Sequence, residues 1–284
     1  MNCLCRAFIV HRSSFIVLIL LLTACAQKSP IVVGSKNFTE SVILGEMVAQ
    51  KLESAGCTVD RKLNMGGTFV CDSAMTSGSL DTYVEYSGTA LEAILKQPKA
   101  DVVAAYAKRG LHWGPPLGFN NTFAMIVRRD DAQRIPLQSI SDLGKVAAQF
   151  QPGFGYEFVE RPDGWNGLLH AYGIAFAKPP KTMDLGLTYK ALASNEVDLI
   201  AGNSTDGLIE SLGLIALADD RHYFPRYDAA IVYRNDIDKK CRGASKALET
   251  LRGRLDDAAM RRLNFEVDGR KRDVAAVVHD ALGR

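Results

Sequence analysis

Most catalytic signatures are absent from this sequence. It has no C-x-x-C pair, so the usual zinc and dithiol motifs are missing. The five histidines, His11, His112, His170, His222 and His279, show no H-x-H, H-x-x-H or H-E-x-x-H spacing, and no metal site is expected. No G-x-S-x-G elbow, P-loop or G-x-G-x-x-G turn occurs, and no cofactor is expected. Low-complexity tracts and solenoid repeats are lacking too. The longest apolar run, Phe15–Leu22, has eight residues, whereas a membrane-spanning helix needs about 20. Charge of one sign is also missing. Of 34 basic residues, Arg6 and Arg12 fall within 1–24, where there is no acid, leaving 32 basic and 32 acidic beyond it. Neither nucleic acid nor an anionic membrane surface is an expected partner.

What is present begins with a leader. A basic start, the run Phe15–Leu22 and the small residues of Thr23-Ala24-Cys25-Ala26 follow the plan of a secretory signal. Leu22–Cys25 also resembles a bacterial lipobox, which makes 1–24 a lipoprotein signal peptide and Cys25 the lipidated first mature residue, followed by an anchor linker over 25–30. The other reading is an ordinary signal peptide with a coincidental cysteine. Beyond it stand Cys57, Cys71 and Cys241, of which Cys57–Cys71 is the shorter candidate disulfide loop. Export permits the bond, but three thiols cannot all pair, and buried free cysteines are an equal reading.

Short strand-like and helical runs alternate along the rest, which argues for an α/β class. Strands are expected at Ile31–Val33, Thr58–Leu63 and Thr82–Tyr86, with helices around Ile43–Leu52, ended by Gly56, and over Thr68–Thr76, ended by Gly78. Further helices are expected near Ala90–Lys96, Asp101–Lys108 and Ser141–Gln149. Two later segments look alike: FAMIVRRD from Phe123 and YDAAIVYRND from Tyr227 each run from an aromatic through an apolar strand into Arg and Asp. The simplest architecture makes them two crossings between a first lobe, 31–127 plus 229–284, and an inserted second lobe, 128–228. A cleft between such lobes is a favoured place for a ligand.

Several turns present groups suited to a pocket. Lys36 follows the first strand and precedes the first helix, where open α/β sheets meet ligands; the alternative is a solvated surface lysine. Tyr86 and Thr89 sit at a second strand-to-helix turn. Arg161 sits at a third, where Asp163 can cap the next helix; the alternative is a structural Arg161, paired with Asp163 or Glu160. The cluster Asn203-Ser204-Thr205-Asp206 ends an apolar run ahead of Gly207-Leu208. It reads as a helix cap with ligand-bonding capacity rather than a nucleophile, and the protein is not expected to be an enzyme.

These motifs, in order, resemble one family. They are VGSKNFTE (Val33–Glu40), MGGT (Met65–Thr68), DTYVEYSGT (Asp81–Thr89), GFNNTFA (Gly118–Ala124), RPDG (Arg161–Gly164), NSTDG (Asn203–Gly207) and FPRYDAA (Phe224–Ala230). The set is similar to substrate-binding proteins of osmoprotectant ABC transporters, which take glycine betaine, carnitine and choline, and it covers nearly all of 31–284. The resemblance implies a two-lobed type II periplasmic-binding-protein fold, an ABC permease as partner, attachment to the membrane only through the lipid anchor, an exported location and a monomer. It implies a cage around the trimethylammonium head, to which Tyr86, Phe123, Tyr227 and position 203 correspond. Lys36, Thr89, Arg161 and Thr205 correspond to carboxylate or polar ligand positions. Two positions depart from the betaine pattern: Phe123 lacks a hydroxyl, and Asn203 replaces a ring with an amide. That leaves open another cationic amine or amino-acid derivative, such as ergothioneine, as ligand, or a sensory role. Trp165 either closes the gap in the cage or packs in the core.

Overall fold

The computed structural model describes residues 29–283, so the expected leader, Cys25 and most of the linker lie outside the described residues. Among the described residues, ten strands form two five-stranded sheets. The first contains β1 (Ile31–Gly34), β2 (Val59–Lys62), β3 (Thr82–Tyr86), β4 (Leu111–Asn120) and β10 (Asp228–Arg234) in the order β2-β1-β3-β10-β4. The second contains β5 (Phe123–Arg128), β6 (Pro152–Gly155), β7 (Lys181–Met183), β8 (Leu199–Asn203) and β9 (Leu214–Ala216) in the order β7-β6-β8-β5-β9.

The two orders are one plan used twice. In each sheet three strands run parallel and the fourth and fifth are antiparallel to their neighbours. The look-alike segments at Phe123 and Tyr227 supply the fourth strand of each sheet, which explains their likeness. It also corrects the expected boundary. Phe123–Arg128 pairs with β8 and β9, so the second lobe starts at β5 and not after residue 127. The return strand β10 belongs to the first sheet.

Local structure follows from the residues. The helix α1 (Thr39–Ser54) buries Ile43, Leu44, Met47, Val48 and Leu52 at helical spacing against the sheet. The helix α2 (Thr68–Ser77) stops at Gly78, whose φ of 78° is the left-handed conformation that ends helices and favours glycine. The segment expected as a helix near Ser141–Gln149 is a short 3-10 helix, Ile140–Lys145. Helices after β10, including Asp257–Asp268 and Val274–Ala281, pack on α1.

Chain crossings between the lobes lie side by side. The Asn121 N–H donates to the Tyr227 carbonyl (3.1 Å), the Tyr227 N–H to Asn120 Oδ1 (2.7 Å), and the Ser204 N–H to the Thr122 carbonyl (2.9 Å). The disulfide joins Cys57 to Cys241, and Cys71 is a buried free thiol, so the short Cys57–Cys71 loop is not the one formed. Residue 241 returns to the first lobe only because the whole second lobe is inserted between the partners, which the spacing of cysteines does not reveal. Trp165 packs against Phe154 and Phe176 at 4.8 and 4.9 Å in the second lobe, the core role of its two readings.

Candidate ligand-binding site

The carboxyl ends of β1 and β3 face those of β6 and β8 across the lobe junction, and a cavity of about 70 Å³ lies there. It is lined by Lys36, Tyr86, Thr89, Phe123, Arg161, Asn203 and Tyr227, seven of the eight ligand positions expected from the sequence. Thr205 is not among its lining residues. Its hydroxyl is fully buried and donates to Glu40 Oε2, so it ties the second lobe to α1 instead of facing the cavity.

Rings and cations already meet here. The Arg161 guanidinium lies 5.1 Å from the Phe123 centroid and 6.0 Å from that of Tyr227, and Lys36 Nζ lies 5.2 Å from the Tyr86 centroid. At such distances a ring face attracts a cation through its quadrupole. Phe123 meets Tyr227 edge-on at 5.6 Å. Each aromatic sits at the end or start of a strand, Tyr86 closing β3, Phe123 opening β5 and Tyr227 just ahead of β10, so the sheets fix their positions.

Neither cation is a solvated surface group. Lys36 is 3% exposed and bridges to Glu85 Oε1 at 2.5 Å. Arg161 is equally buried. Its Nε donates to Asp163 Oδ1 (2.8 Å), its Nη2 to Asp163 Oδ2 (2.5 Å) and its Nη1 to Thr89 Oγ1 (3.2 Å). Of the two readings of Asp163, pairing is the one observed: the carboxylate takes Arg161 and the Tyr227 hydroxyl (2.5 Å), while the following helix has no side-chain cap. The cap expected at Ser204–Asp206 is also not formed. Asp206 turns back to accept the Asn203 N–H at 2.9 Å, and the helix after it, Leu208–Ser211, is a single turn without a side-chain cap.

Three further groups shape the site. Glu157, two residues beyond β6 as Lys36 is two beyond β1, accepts the Thr68 N–H across the junction at 3.1 Å. It therefore sets a carboxylate at the N-terminus of α2, where such charge is favoured. Asn121 lines the cavity, and its Oδ1 is a buried acceptor without a donor among the described residues. Glu40 accepts from the Tyr86 hydroxyl (2.7 Å), Asn121 Nδ2 (2.8 Å), Asn264 Nδ2 (3.0 Å) and Thr205. Burial pushes its carboxyl up to about 7 against those hydrogen bonds, which favour the anion, and the charge of Asp206 adds to the rise. Glu40 and Asn121 fall inside quoted motifs, whereas no sequence signal marks Glu157.

Cations, carboxylates and ring faces thus meet in one cavity between the two lobes, an arrangement able to hold a small polar ligand. The profile of the substrate-binding domain of ABC-type glycine betaine transport systems matches residues 29–284. The chain is 36% identical over 266 residues to the ergothioneine transport permease/ergothioneine binding protein of Helicobacter pylori, covering 91% of this chain and 48%, about half, of that protein. It is 34% identical over 275 residues to the glycine-betaine-binding protein of Pseudomonas aeruginosa, covering 90% of this chain and 88% of that one. A solved glycine betaine/carnitine/choline ABC transporter structure superposes with a TM-score of 0.71 at 27% identity, covering 89% and 97% of the two chains. With the two-lobed type II fold, the ring-lined junction and a match over all the described residues, the chain belongs to the family of substrate-binding domains of ABC-type glycine betaine transport systems.

Proposed function

We propose that this protein is the extracytoplasmic solute-binding component of an ABC importer, and that its lobes close on a quaternary amine bearing a carboxylate. The observation that carries this reading is the convergence of Tyr86, Phe123 and Tyr227 with Lys36, Thr89 and Arg161 on one cavity at the lobe junction. A trimethylammonium group has no N–H to donate, so ring faces are its natural partners, each worth about 0.5–2 kcal/mol. The carboxylate takes charge-assisted hydrogen bonds from Lys36 and Arg161 and draws the guanidinium off the Phe123 and Tyr227 faces. Choline, without a carboxylate, binds more weakly than a betaine.

Isothermal titration with glycine betaine, carnitine, choline and ergothioneine tests this. At least one betaine binds below millimolar, and Tyr86→Ala weakens it by about 2- to 30-fold, the equivalent of one ring. If no compound binds below millimolar and Tyr86→Ala changes nothing, the reading fails. The lipid anchor belongs to the same proposal and rests on the lipobox-like Leu22–Cys25. Cys25→Ala moves the exported protein from the membrane fraction to the soluble one; unchanged membrane retention removes the anchor.

A second reading, a larger betaine such as ergothioneine, is favoured by Asn203. An amide stands at the end of β8 where Tyr86 stands at the end of β3, so the ring wall is open on that side. The Helicobacter pylori relative is named for ergothioneine.

A further inference from the structure

The ring-lined cavity has a neighbour at Asn203. On the far side lies a larger chamber of about 360 Å³, which shares Asn37, Phe38, Leu185 and Asn203 with the first. Both lobes build it, with Thr39 and Asp268 from the first and Tyr189 and Asp206 from the second. The chamber therefore forms when the lobes come together, as the ring cavity does.

Its chemistry is opposite to that of the ring cavity. The first holds Lys36 and Arg161, whereas among the described residues no Lys, Arg or His lines the second. Its two hydroxyls are already committed as donors: Tyr189 donates to Asp206 Oδ2 at 2.6 Å and Thr39 to Asp268 Oδ1 at 2.7 Å. Beside the side-chain amides of Asn37, Asn64 and Asn203, the chamber offers carboxylate acceptors: Asp268 Oδ2, which has no hydrogen bond among the described residues, and Asp206 Oδ1, which has only a long 3.5 Å contact from Asn203 Nδ2. Burial raises both carboxyls, Asp206 to about 6, and the Asp268 charge raises Asp206 further, while Lys271 acts in the other direction on Asp268. A donor or cation placed between the two carboxylates relieves both penalties.

Resting on the quaternary-amine reading above, we propose that this chamber is the second half of the ligand site, and that it takes the side chain of an α-amino-acid betaine whose side chain ends in an N–H donor or cationic group. Such a ligand has three arms. The trimethylammonium goes to the rings, the carboxylate to Lys36 and Arg161, and the side chain past the Asn203 amide to Asp206 and Asp268. A tyrosine ring at position 203 would close that passage, so Asn203 is a specificity-determining residue.

Titration with three synthetic probes tests this: glycine betaine, with no side chain, Nα-trimethylhistidine, with an N–H-bearing ring, and Nα-trimethylphenylalanine, with a ring that has no donor. The full protein binds trimethylhistidine at least tenfold tighter than either of the other two. Asp268→Asn and Asp206→Asn each remove most of that advantage and leave glycine betaine affinity unchanged, which also shows that the variants fold. Asn203→Tyr reverses the preference, tightening glycine betaine and weakening trimethylhistidine. If trimethylhistidine and trimethylphenylalanine bind alike, or the Asp variants weaken glycine betaine equally, the subsite is overturned while the quaternary-amine reading stands. If none of the three binds, that reading falls first and takes the subsite with it.

Discussion

Lys36 illustrates how a single residue carries both stability and recognition. Its ammonium and the Glu85 carboxylate are nearly free of solvent, at 4% and 0% side-chain exposure, and lie 2.5 Å apart. Glu85 also accepts the Tyr86 N–H at 2.7 Å and the Tyr83 hydroxyl at 3.1 Å, so one oxygen pairs with Lys36 and both are hydrogen-bonded. Removing one partner of such a buried pair typically costs about 3–5 kcal/mol, because the other charge is left uncompensated. Lys36→Met therefore lowers urea stability by that order, and Lys36→Met with Glu85→Gln recovers most of it. Betaine affinity does not recover in the double variant, because the cation for the carboxylate is still missing. Recovery of both together would show that Lys36 acts on structure alone. The sequence placed Lys36 at the turn after the first strand, but its burial depends on a carboxylate 49 positions away, so a solvated lysine read equally well. Glu157 was invisible for the same reason, since its partner at Thr68 belongs to the opposite lobe.

At the scale of elements, the pattern of apolar residues was informative where a strand or helix is decided locally. Thr82–Tyr86 is a strand over the expected residues, and the helix expected over Thr68–Thr76 runs from Thr68 to Ser77. Legibility ends where two elements must find each other. The likeness of the segments at Phe123 and Tyr227 was readable, yet whether they share one sheet or hold equal places in two is a matter of pairing. The hydrogen bonds of Phe123–Arg128 to β8 and β9 decide it. Likewise the cap residues Ser204, Thr205 and Asp206 have suitable chemistry for a helix start, but Asp206 is held by Asn203 and Tyr189, and Thr205 by Glu40. Tertiary hydrogen bonds outcompeted the local cap. The Cys57–Cys241 bond, spanning 184 positions, is the extreme case, because it pins the segment before β2 to the chain returning from the inserted lobe. Closing so long a loop restricts the unfolded chain strongly in the loop-entropy view.

At the scale of the whole molecule the lobes are held shut by groups that meet at Glu40. This residue on α1 takes hydrogen bonds from Tyr86 and Asn264 of the first lobe, from Asn121 in the crossing and from Thr205 in the second lobe. Asn264 adds a bond of 2.8 Å to the Thr205 carbonyl. Four donors favour the carboxylate anion, and burial favours the neutral acid; burial wins, lifting the group from 4.5 to about 7. The folded state thus holds a proton between these values that the unfolded state releases. Stability from this group is fully present below about 4.5, falls as the pH rises, and is lost above about 7. A shift of this size corresponds to about 3 kcal/mol across that window. Asp206, raised from 3.8 to about 6, slopes the same way, whereas the lowered Asp131 and Asp238 act at pH below their ordinary range of about 4. Urea unfolding followed from pH 5 to pH 8 will therefore show stability declining by a few kcal/mol, and Glu40→Gln, which cannot ionise, will flatten most of the decline. An unchanged slope in Glu40→Gln would place the proton elsewhere. Because the same four bonds span the crossing and both lobes, the pH at which Glu40 ionises also sets how firmly the unliganded cleft stays closed. Small-angle scattering of wild type and Glu40→Gln across the same pH range will then show a radius that changes near pH 7 in the first and not in the second.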